Sequence, residues 1–249
     1  MLLGQYISMI TLDKPIDKQS YLSKLPAIKY LSDNKSLSLS KNVTFFVGEN
    51  GTGKSTLIES IAVAYGFNPE GGTKNFNFST NQSHSDLWEH ITLSKGKFAK
   101  DGFFLRAESF YNVASNIDEM DKQPAFSPPV INSYGGVSLH NQSHGESFLA
   151  LVQNRFRGNG IYILDEPEAA LSPMRLLTLI VEIDHLVKNN SQFIIATHSP
   201  ILMAFPNAEI LEFSQNGIKS IDYKDTEHYK VTRSFLENPN KMLNYLLND

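Results

Sequence analysis

The stretch that decides the fold runs from residue 48 to residue 56 and reads Gly48-Glu49-Asn50-Gly51-Thr52-Gly53-Lys54-Ser55-Thr56. It contains the pattern G-x-x-x-x-G-K-[ST], whose glycines let successive backbone N–H groups turn toward one anion. The apolar run from Val43 to Val47 predicts a strand before it, and apolar residues at helical spacing predict a helix after it. That helix, beginning near Lys54, would direct unpaired N–H groups and the positive end of its dipole toward the anion. The stretch is therefore predicted to bind phosphate groups.

All nine residues of this loop are predicted contacts of a nucleotide, and two of them have particular roles. Lys54 supplies a positive charge for the β- and γ-phosphates, and the Ser55 hydroxyl is placed to ligate Mg²⁺. ATP and Mg²⁺ are accordingly the expected ligands.

A second acidic motif follows another apolar run. Ile161 to Leu164 predicts a strand, and Asp165 and Glu166 stand at its end, where α/β sheets place ligand groups. Asp165 is predicted to hold Mg²⁺ through water, and Glu166 to polarise the water that attacks the phosphate. The alternative is an acidic turn that begins the next helix.

With two further motifs, the chain resembles the ABC ATPase family of P-loop NTPases. The segment from Gln142 to Glu146 reads Gln-Ser-His-Gly-Glu and is similar to the family signature, usually Leu-Ser-Gly-Gly-Gln. It stands before a helix predicted from Glu146 to Arg157, as the signature does. His198, in Ala-Thr-His-Ser-Pro after an apolar run, resembles the switch histidine of the family.

The resemblance covers about residues 43 to 200, with the motifs in the family order. Ala169 to Ser172 occupies the place of the D-loop. The likeness is closest to small stand-alone bacterial ATPases and to ATP-binding proteins of ABC transporters, and it extends to SMC-like ATPase heads.

The resemblance implies an α/β fold with a mostly parallel central sheet, flanking helices, an antiparallel β part and a small helical subdomain. Residues 1–249 are expected to form one ABC-type ATPase domain. Approximately residues 68–155 of it would include a mobile loop and the signature-bearing subdomain.

The resemblance also implies a mechanism in which two copies dock head to tail and enclose ATP between them. Ser143, the Gly145 backbone and the helix start at Glu146 would bind the γ-phosphate of the partner's ATP. His198 would contact the γ-phosphate and hold the attacking water, together with Glu166. The expected activity is hydrolysis of the β–γ phosphoanhydride of ATP.

The chain departs from the family pattern in two places. The signature has His144 and Glu146 where transporters usually have Gly and Gln. The stretch that corresponds to the Q-loop, Phe103 to Phe110, contains no Gln. Either Glu108 takes the place near Mg²⁺, or Arg106 binds a phosphate, or the two are paired charges at a strand end.

Composition excludes some classes of function. The formal net charge of −4 does not favour a sequence-independent nucleic-acid surface, although a local basic groove remains open. The absence of cysteine excludes disulfides and thiolate metal sites. No metal-ligand spacing is found among five other histidines, which are expected to be solvated or core residues: His84, His90, His140, His185 and His228. No apolar run is long enough to cross a bilayer, so a cytoplasmic protein is expected, reaching a membrane only through a partner.

Several biological roles remain open at this point. The first is an ATPase whose ATP-dependent dimerisation drives or gates an unknown partner protein. The second is the ATP-binding subunit of an ABC transporter, and the third an SMC-like ATPase in DNA repair or phage defence. A non-hydrolysing ATP sensor is a further possibility, against which intact Glu166 and His198 argue.

Overall fold

The computed structural model describes residues 5–74, 85–122 and 128–247. Most of the loop expected to be mobile, from Asn68 to Ser85, lies outside these residues. Among the described residues the strands are β1 (Ile7–Leu12), β2 (Ser36–Ser38), β3 (Val43–Gly48), β4 (Ile91–Lys95), β5 (Asp101–Arg106), β6 (Gly160–Asp165), β7 (Gln192–Ala196), β8 (Glu209–Ser214) and β9 (Gly217–Ser220). The α-helices are α1 (Pro26–Asn34), α2 (Lys54–Tyr65), α3 (Phe110–Lys122), α4 (His144–Arg155), α5 (Pro173–Lys188), α6 (Pro200–Met203), α7 (Glu227–Glu237) and α8 (Pro239–Leu247).

The central sheet brings the sequence motifs to one edge. Its six strands stand in the order β5-β6-β7-β3-β8-β9, and all neighbours are parallel except β8 and β9. Ala196 at the end of β7 is in register with Phe46 of β3 on one side and with Asp165 of β6 on the other. The carboxyl ends of β3, β6 and β7 therefore lie side by side, at the end of a parallel sheet where ligands are expected to bind.

The core lies on both faces of this sheet. Successive side chains of a strand point to opposite faces, so Phe45 packs with α3, α4 and α5 while Phe46 packs with α1 and α2. Five of the six residues of β3 are buried, which agrees with a central strand covered on both sides. The predicted α/β fold with a mostly parallel sheet is confirmed.

The predicted antiparallel part is a three-stranded sheet in the order β2-β1-β4. It is joined to the central sheet by the buried side chain of Gln192, the first residue of β7. Gln192 Oε1 accepts from the backbone N–H groups of Tyr6 and Ile7, each at 2.9 Å, and Nε2 donates to Ile7 O at 2.7 Å. One amide side chain thus acts like a strand neighbour for β1.

The helical subdomain lies between β5 and β6 and contains α3 and α4. Helix α4 begins at His144, two residues earlier than predicted, because Ser143 is its N-cap residue. It ends at Arg155 rather than Arg157, and Phe156 is extended. No helix in the described part of the chain is long and apolar enough to cross a bilayer.

Candidate functional site

The phosphate loop leaves the central strand β3 and enters helix α2 through a turn that requires glycine. Gly48 has φ +127°, and a Cβ atom there would lie 2.0 Å from the carbonyl oxygen of Phe213 on the adjacent β8. Gly53, with φ +98°, is the left-handed residue before α2. The backbone can therefore turn this sharply against β8 only without a side chain at position 48.

Lys54 is the first residue of α2, and its side chain folds back into the loop. Its ammonium donates to Gly48 O at 2.6 Å and to Glu49 O at 2.7 Å, and the residue is 4% exposed. Burial lowers the pKa of Lys54, and the nearby carboxylates of Glu166 and Asp165 partly offset this. A cation is thus held inside the loop, where the sequence places the phosphates.

Ser55 and Asp165 connect the phosphate loop to the acidic strand end. The Ser55 hydroxyl donates to Asp165 Oδ1 across 3.4 Å. Asp165 is 5% exposed, and burial raises its pKa to about 6, with Arg106 acting in the opposite direction. A hydroxyl and a buried carboxylate are oxygen ligands of the kind Mg²⁺ takes, and a cation would relieve the cost of burying that carboxylate.

The residues present fit Mg²⁺ bound together with a nucleotide. Among residues 5–74, 85–122 and 128–247, no group of three or more His, Asp or Glu side chains is arranged to hold a metal ion. Mg²⁺ commonly binds through one or two protein oxygens plus substrate phosphates. Ser55 and Asp165 match that pattern.

Arg106, at the end of β5, is surrounded by carboxylates. Its guanidinium lies 2.7 Å from Glu59 Oε2, 3.3 Å from Glu108 Oε2 and 3.5 Å from Asp165 Oδ2. This is the paired-charge arrangement, one of the three alternatives that the sequence leaves open for this strand end. Glu108 is 83% exposed in its side chain and still lines the cavity above Ser55, so its role toward Mg²⁺ stays a prediction. Glu59, on the α2 face toward β5, was not identified from the sequence.

Glu166 diverges from Asp165 because its backbone turns. It has φ 51° and ψ 52°, a left-handed conformation that is uncommon for a residue with a side chain, and its N–H donates to Ala196 O at 3.0 Å. Its carboxylate is 39% exposed and lies 3.6 Å from His198 Nε2. The two adjacent carboxylates thus serve different neighbours, Asp165 toward Ser55 and Glu166 toward His198.

The loop that carries His198 is held by Glu168. Glu168 accepts from the His198 backbone N–H and from the Thr197 hydroxyl, the latter at 2.8 Å. The Thr197 N–H donates to Phe46 O at 3.1 Å, which ties the loop to β3. Burial raises the pKa of Glu168, although these hydrogen bonds lower it. Glu168 was not singled out from the sequence, and only its place two residues after Glu166 could have suggested a role.

The imidazole of His198 has different surroundings at its two nitrogens. Nε2 is buried, has no hydrogen-bond partner within the described ranges, and faces Glu166. Nδ1 lies 3.0 Å from Nε2 of His228, the second residue of α7. From its sequence context His228 is expected to be an ordinary solvated or core histidine, whereas the structure places it against His198.

The signature residues stand together at the start of α4. Glu146 Oε2 accepts from the Ser143 N–H at 3.1 Å and from the Ser143 hydroxyl at 2.6 Å, and these bonds lower the Glu146 pKa. Arg175 of α5 donates to the Ser143 hydroxyl at 3.3 Å and pairs with Glu146 at 3.1 Å. Gly145 packs so closely that a Cβ would lie 2.9 Å from Ala170 O. Ser143 and Glu146 are exposed, whereas Gly145 is buried.

A cavity of about 280 Å³ joins these parts. It is lined by residues of the phosphate-loop helix, the acidic strand end, the end of β5, the signature and the D-loop: Ser55, Arg106, Ala107, Glu108, His144, Asp165, Glu166, Ala169 and Ala170. Its wall includes His144, one of the departures from the family signature. Ser143 and the Gly145 backbone are not part of this wall.

Two family models match the chain, and each covers part of the site. One, described as an AAA domain, matches residues 24–110, and a second, described as an AAA domain, putative AbiEii toxin, Type IV TA system, matches residues 130–204. The first includes the phosphate loop. The second includes the signature, the two carboxylates and the switch histidine.

Two relatives are similar in sequence. The probable ATPase of retron Vc95 from Vibrio cholerae serotype O1 biovar El Tor is 28% identical over an alignment of 134 residues, and the match covers 47% of this chain and 25% of that protein. The ATP-binding protein TupC of a tungstate uptake system from Campylobacter jejuni is 23% identical over 235 residues, covering 84% of this chain and 69% of TupC. The match thus spans only a quarter of the retron ATPase.

Among solved structures, two ABC cassettes share the fold. CbiO1 from Clostridium perfringens, part of the ABC transporter complex cbiONQ, has a TM-score of 0.52 and 14% identity, covering 98% of this chain and all of that one. MJ1267, an ATP-binding cassette of an ABC transporter, has a TM-score of 0.52 and 14% identity, and the match covers 97% of this chain and 99% of that one. Likeness at this identity concerns the fold, while the family models take in the motifs that line the site. The chain therefore shares the fold of ABC-transporter ATP-binding cassettes, and two parts of it match models of AAA domains.

Proposed function

We propose that this chain binds ATP with Mg²⁺ and hydrolyses it through a head-to-tail dimer that encloses the nucleotide, and so drives or gates a partner protein. The observation that carries the proposal is the divergence of Asp165 and Glu166. Asp165 is buried against Ser55, and Glu166 faces the buried Nε2 of His198. One carboxylate is thus suited to the metal and the other to a water molecule.

The nucleotide is bound by the nine residues of the phosphate loop. The backbone N–H groups of the loop and of the start of α2 bind the phosphate oxygens. The Lys54 ammonium exchanges its contacts with the Gly48 and Glu49 carbonyls for contacts with the β- and γ-phosphates. Ser55 and Asp165 would hold Mg²⁺, which supplies positive charge where the transition state becomes more negative.

Glu166 and His198 carry the hydrolytic step. Glu166 orients a water whose oxygen bonds to the γ-phosphorus while the bond from that phosphorus to the β–γ bridging oxygen breaks, releasing ADP and phosphate. The proton of the water passes to the Glu166 carboxylate. His198 donates from Nε2 to a γ-phosphate oxygen and holds the water against Glu166.

The signature is proposed to act on the ATP of the partner copy. Ser143 is exposed at the N-terminus of α4, where backbone N–H groups favour an anion. The Glu146 carboxylate accepts the Ser143 hydrogen bond in this structure, so the hydroxyl would turn from Glu146 to the γ-phosphate on docking. The Arg175 guanidinium lies 3.1 Å from the Glu146 carboxylate and offsets the negative charge that Glu146 presents to the phosphate.

Sedimentation tests the composite site. Glu166→Gln is expected to trap ATP and give a dimer at micromolar protein. Adding Ser143→Arg, which puts a bulky side chain into the interface, should abolish the dimer while each monomer still binds ATP. A trapped protein that stays monomeric with ATP bound, or a dimer that survives Ser143→Arg, contradicts the proposal.

Two more specific roles have support from different relatives. The alignment with TupC over most of this chain favours the ATP-binding subunit of a transporter, while the match to a retron ATPase favours an ATPase of phage defence or DNA repair. The Q-loop stretch argues against the transporter role, because it has no Gln. Arg106 in this stretch forms ion pairs with Glu59 and Asp165. Co-purification from the native cell separates them, with membrane subunits as one result and a nuclease or nucleic acid as the other.

A further inference from the structure

Helix α7 places His228 in contact with the switch histidine. The Nε2 atom of His228 is 3.0 Å from Nδ1 of His198, and the ring centroids are 5.1 Å apart at 55°. Thr226, which is 1% exposed, fixes the helix start by accepting from Tyr229 N and by donating to Tyr223 O at 2.8 Å. His228 is therefore anchored beside His198 by its own helix cap.

The proton positions follow from what each nitrogen faces. A neutral imidazole has one N–H donor and one acceptor nitrogen. Nε2 of His198 faces the Glu166 carboxylate at 3.6 Å, and a carboxylate accepts but does not donate. The proton of His198 therefore belongs on Nε2, which leaves Nδ1 as an acceptor for the N–H of His228.

Both rings are expected to be neutral when they form this pair. Burial lowers the pKa of His198, and Lys54 lowers it further. Burial also lowers the pKa of His228, with His198 as the second cause. Two neutral rings can form a directed chain in which His228 donates to His198 and His198 donates toward the reacting groups.

We propose that His228 is a positioning residue for ATP hydrolysis, which fixes the Nε2–H tautomer of His198 by donating a hydrogen bond to its Nδ1. The inference rests on the proposed hydrolytic role of His198. His228 touches neither nucleotide nor water in this scheme and acts only through the orientation and tautomer of His198. None of the residues of α7 is buried, so this hydrogen bond is supplied by a helix on the protein surface.

Two substitutions separate hydrogen bonding from packing. His228→Leu removes the donor and keeps a side chain of similar bulk, whereas His228→Gln keeps an N–H donor near the position of Nε2. His228→Leu is expected to lower kcat about tenfold, in the range found when a supporting hydrogen-bond partner is removed, with the KM for ATP unchanged. His228→Gln should retain most of kcat. His185→Leu, an exposed histidine on α5, is the matched control and should leave both constants unchanged.

The tautomer is measured independently of activity. In ¹⁵N-histidine-labelled protein without nucleotide, long-range ¹H–¹⁵N correlation spectra should show His198 with its proton on Nε2 in the wild type and in His228→Gln. In His228→Leu the two tautomers should mix. The inference is overturned by a wild-type His198 protonated on Nδ1, by an unchanged tautomer in His228→Leu, or by equal kcat in the Leu and Gln variants. A wild type that fixes the tautomer yet never hydrolyses ATP overturns the proposed function, and with it the role of His228.

Discussion

The Ser55 hydroxyl lies 3.4 Å from the Asp165 carboxylate, although the two residues are 110 positions apart. Ser55 follows strand β3, and Asp165 is the last residue of β6. Strand β7 lies between β3 and β6 in the sheet, so the contact crosses the end of β7. It brings the start of α2 and the end of β6 to a common point.

Lys54→Ala should weaken ATP binding by about 10- to 100-fold, because the β- and γ-phosphates lose a hydrogen bond to a charged group. Titration calorimetry with ATP and Mg²⁺ measures the change. Lys29→Ala, on the exposed side of α1, is the control and should bind as the wild type does. Equal affinity of the Lys54 variant and the wild type would show that the loop is not the binding site.

Glu166→Gln should lower the turnover of ATP by about 100-fold or more, in the range for a positioned general base, while ATP binding persists. Phosphate release under saturating ATP measures it. Glu119→Gln, the same change on an exposed residue of α3, should turn over normally. If the Glu166 variant keeps full turnover, another group activates the water, and His198 or Glu108 becomes the candidate.

Features with a local sequence pattern could be predicted from the sequence, whereas helix α3 and the contacts between distant elements could not. The apolar run of β3 and the loop after it predicted both the central strand and the site, because pattern and backbone geometry are local there. Helix α3 was not predicted, although its buried Phe110, Val113, Ala114 and Ile117 stand at helical spacing. Its remaining residues are mostly polar, which hides that signal.

Contacts between distant elements had no sequence signal of this kind. Arg106 and Glu59 are 47 residues apart, and His198 and His228 are 30 apart. No spacing rule joins a strand end or the loop after it to a residue of a distant helix, since tertiary packing alone determines which faces meet. Such pairs became visible only when the sheet placed β5 beside α2, and the switch loop beside α7.

Gly48→Ala and Gly51→Ala form a matched pair that tests the geometry of the loop. Both glycines have positive φ, at 127° and 78°, so each substitution carries a backbone cost of about 1–2 kcal/mol. Only at position 48 does the new Cβ meet another atom, Phe213 O at 2.0 Å, whereas position 51 is open. Urea denaturation should therefore show Gly48→Ala to be less stable than Gly51→Ala by about 1–3 kcal/mol. Equal stabilities would contradict the close packing of β3 against β8.

Asp101, at the start of β5, is a centre of polar contacts far from the phosphate loop. Its carboxylate accepts from Arg155 at 2.8 Å, from the Arg157 N–H at 2.9 Å and from the Tyr162 hydroxyl at 2.8 Å. Burial would raise the pKa of Asp101, but the Arg155 charge and these hydrogen bonds outweigh it and hold the pKa below its usual range.

The depressed pKa of Asp101 gives stability a defined pH dependence. An acid with a lowered folded pKa contributes fully above its unfolded pKa of about 3.9, and the contribution is lost as pH falls through the folded value. Asp101→Asn should therefore reduce the free energy of unfolding by about 2 kcal/mol near pH 7, with a difference from wild type that shrinks below about pH 4. Urea denaturation across this range measures it. Asp184→Asn, which breaks the exposed pair with Lys188, should cost less than about 0.5 kcal/mol at any of these pH values. A difference for Asp101→Asn that stays constant down to pH 3 would mean that packing, rather than the carboxylate charge, carries the effect.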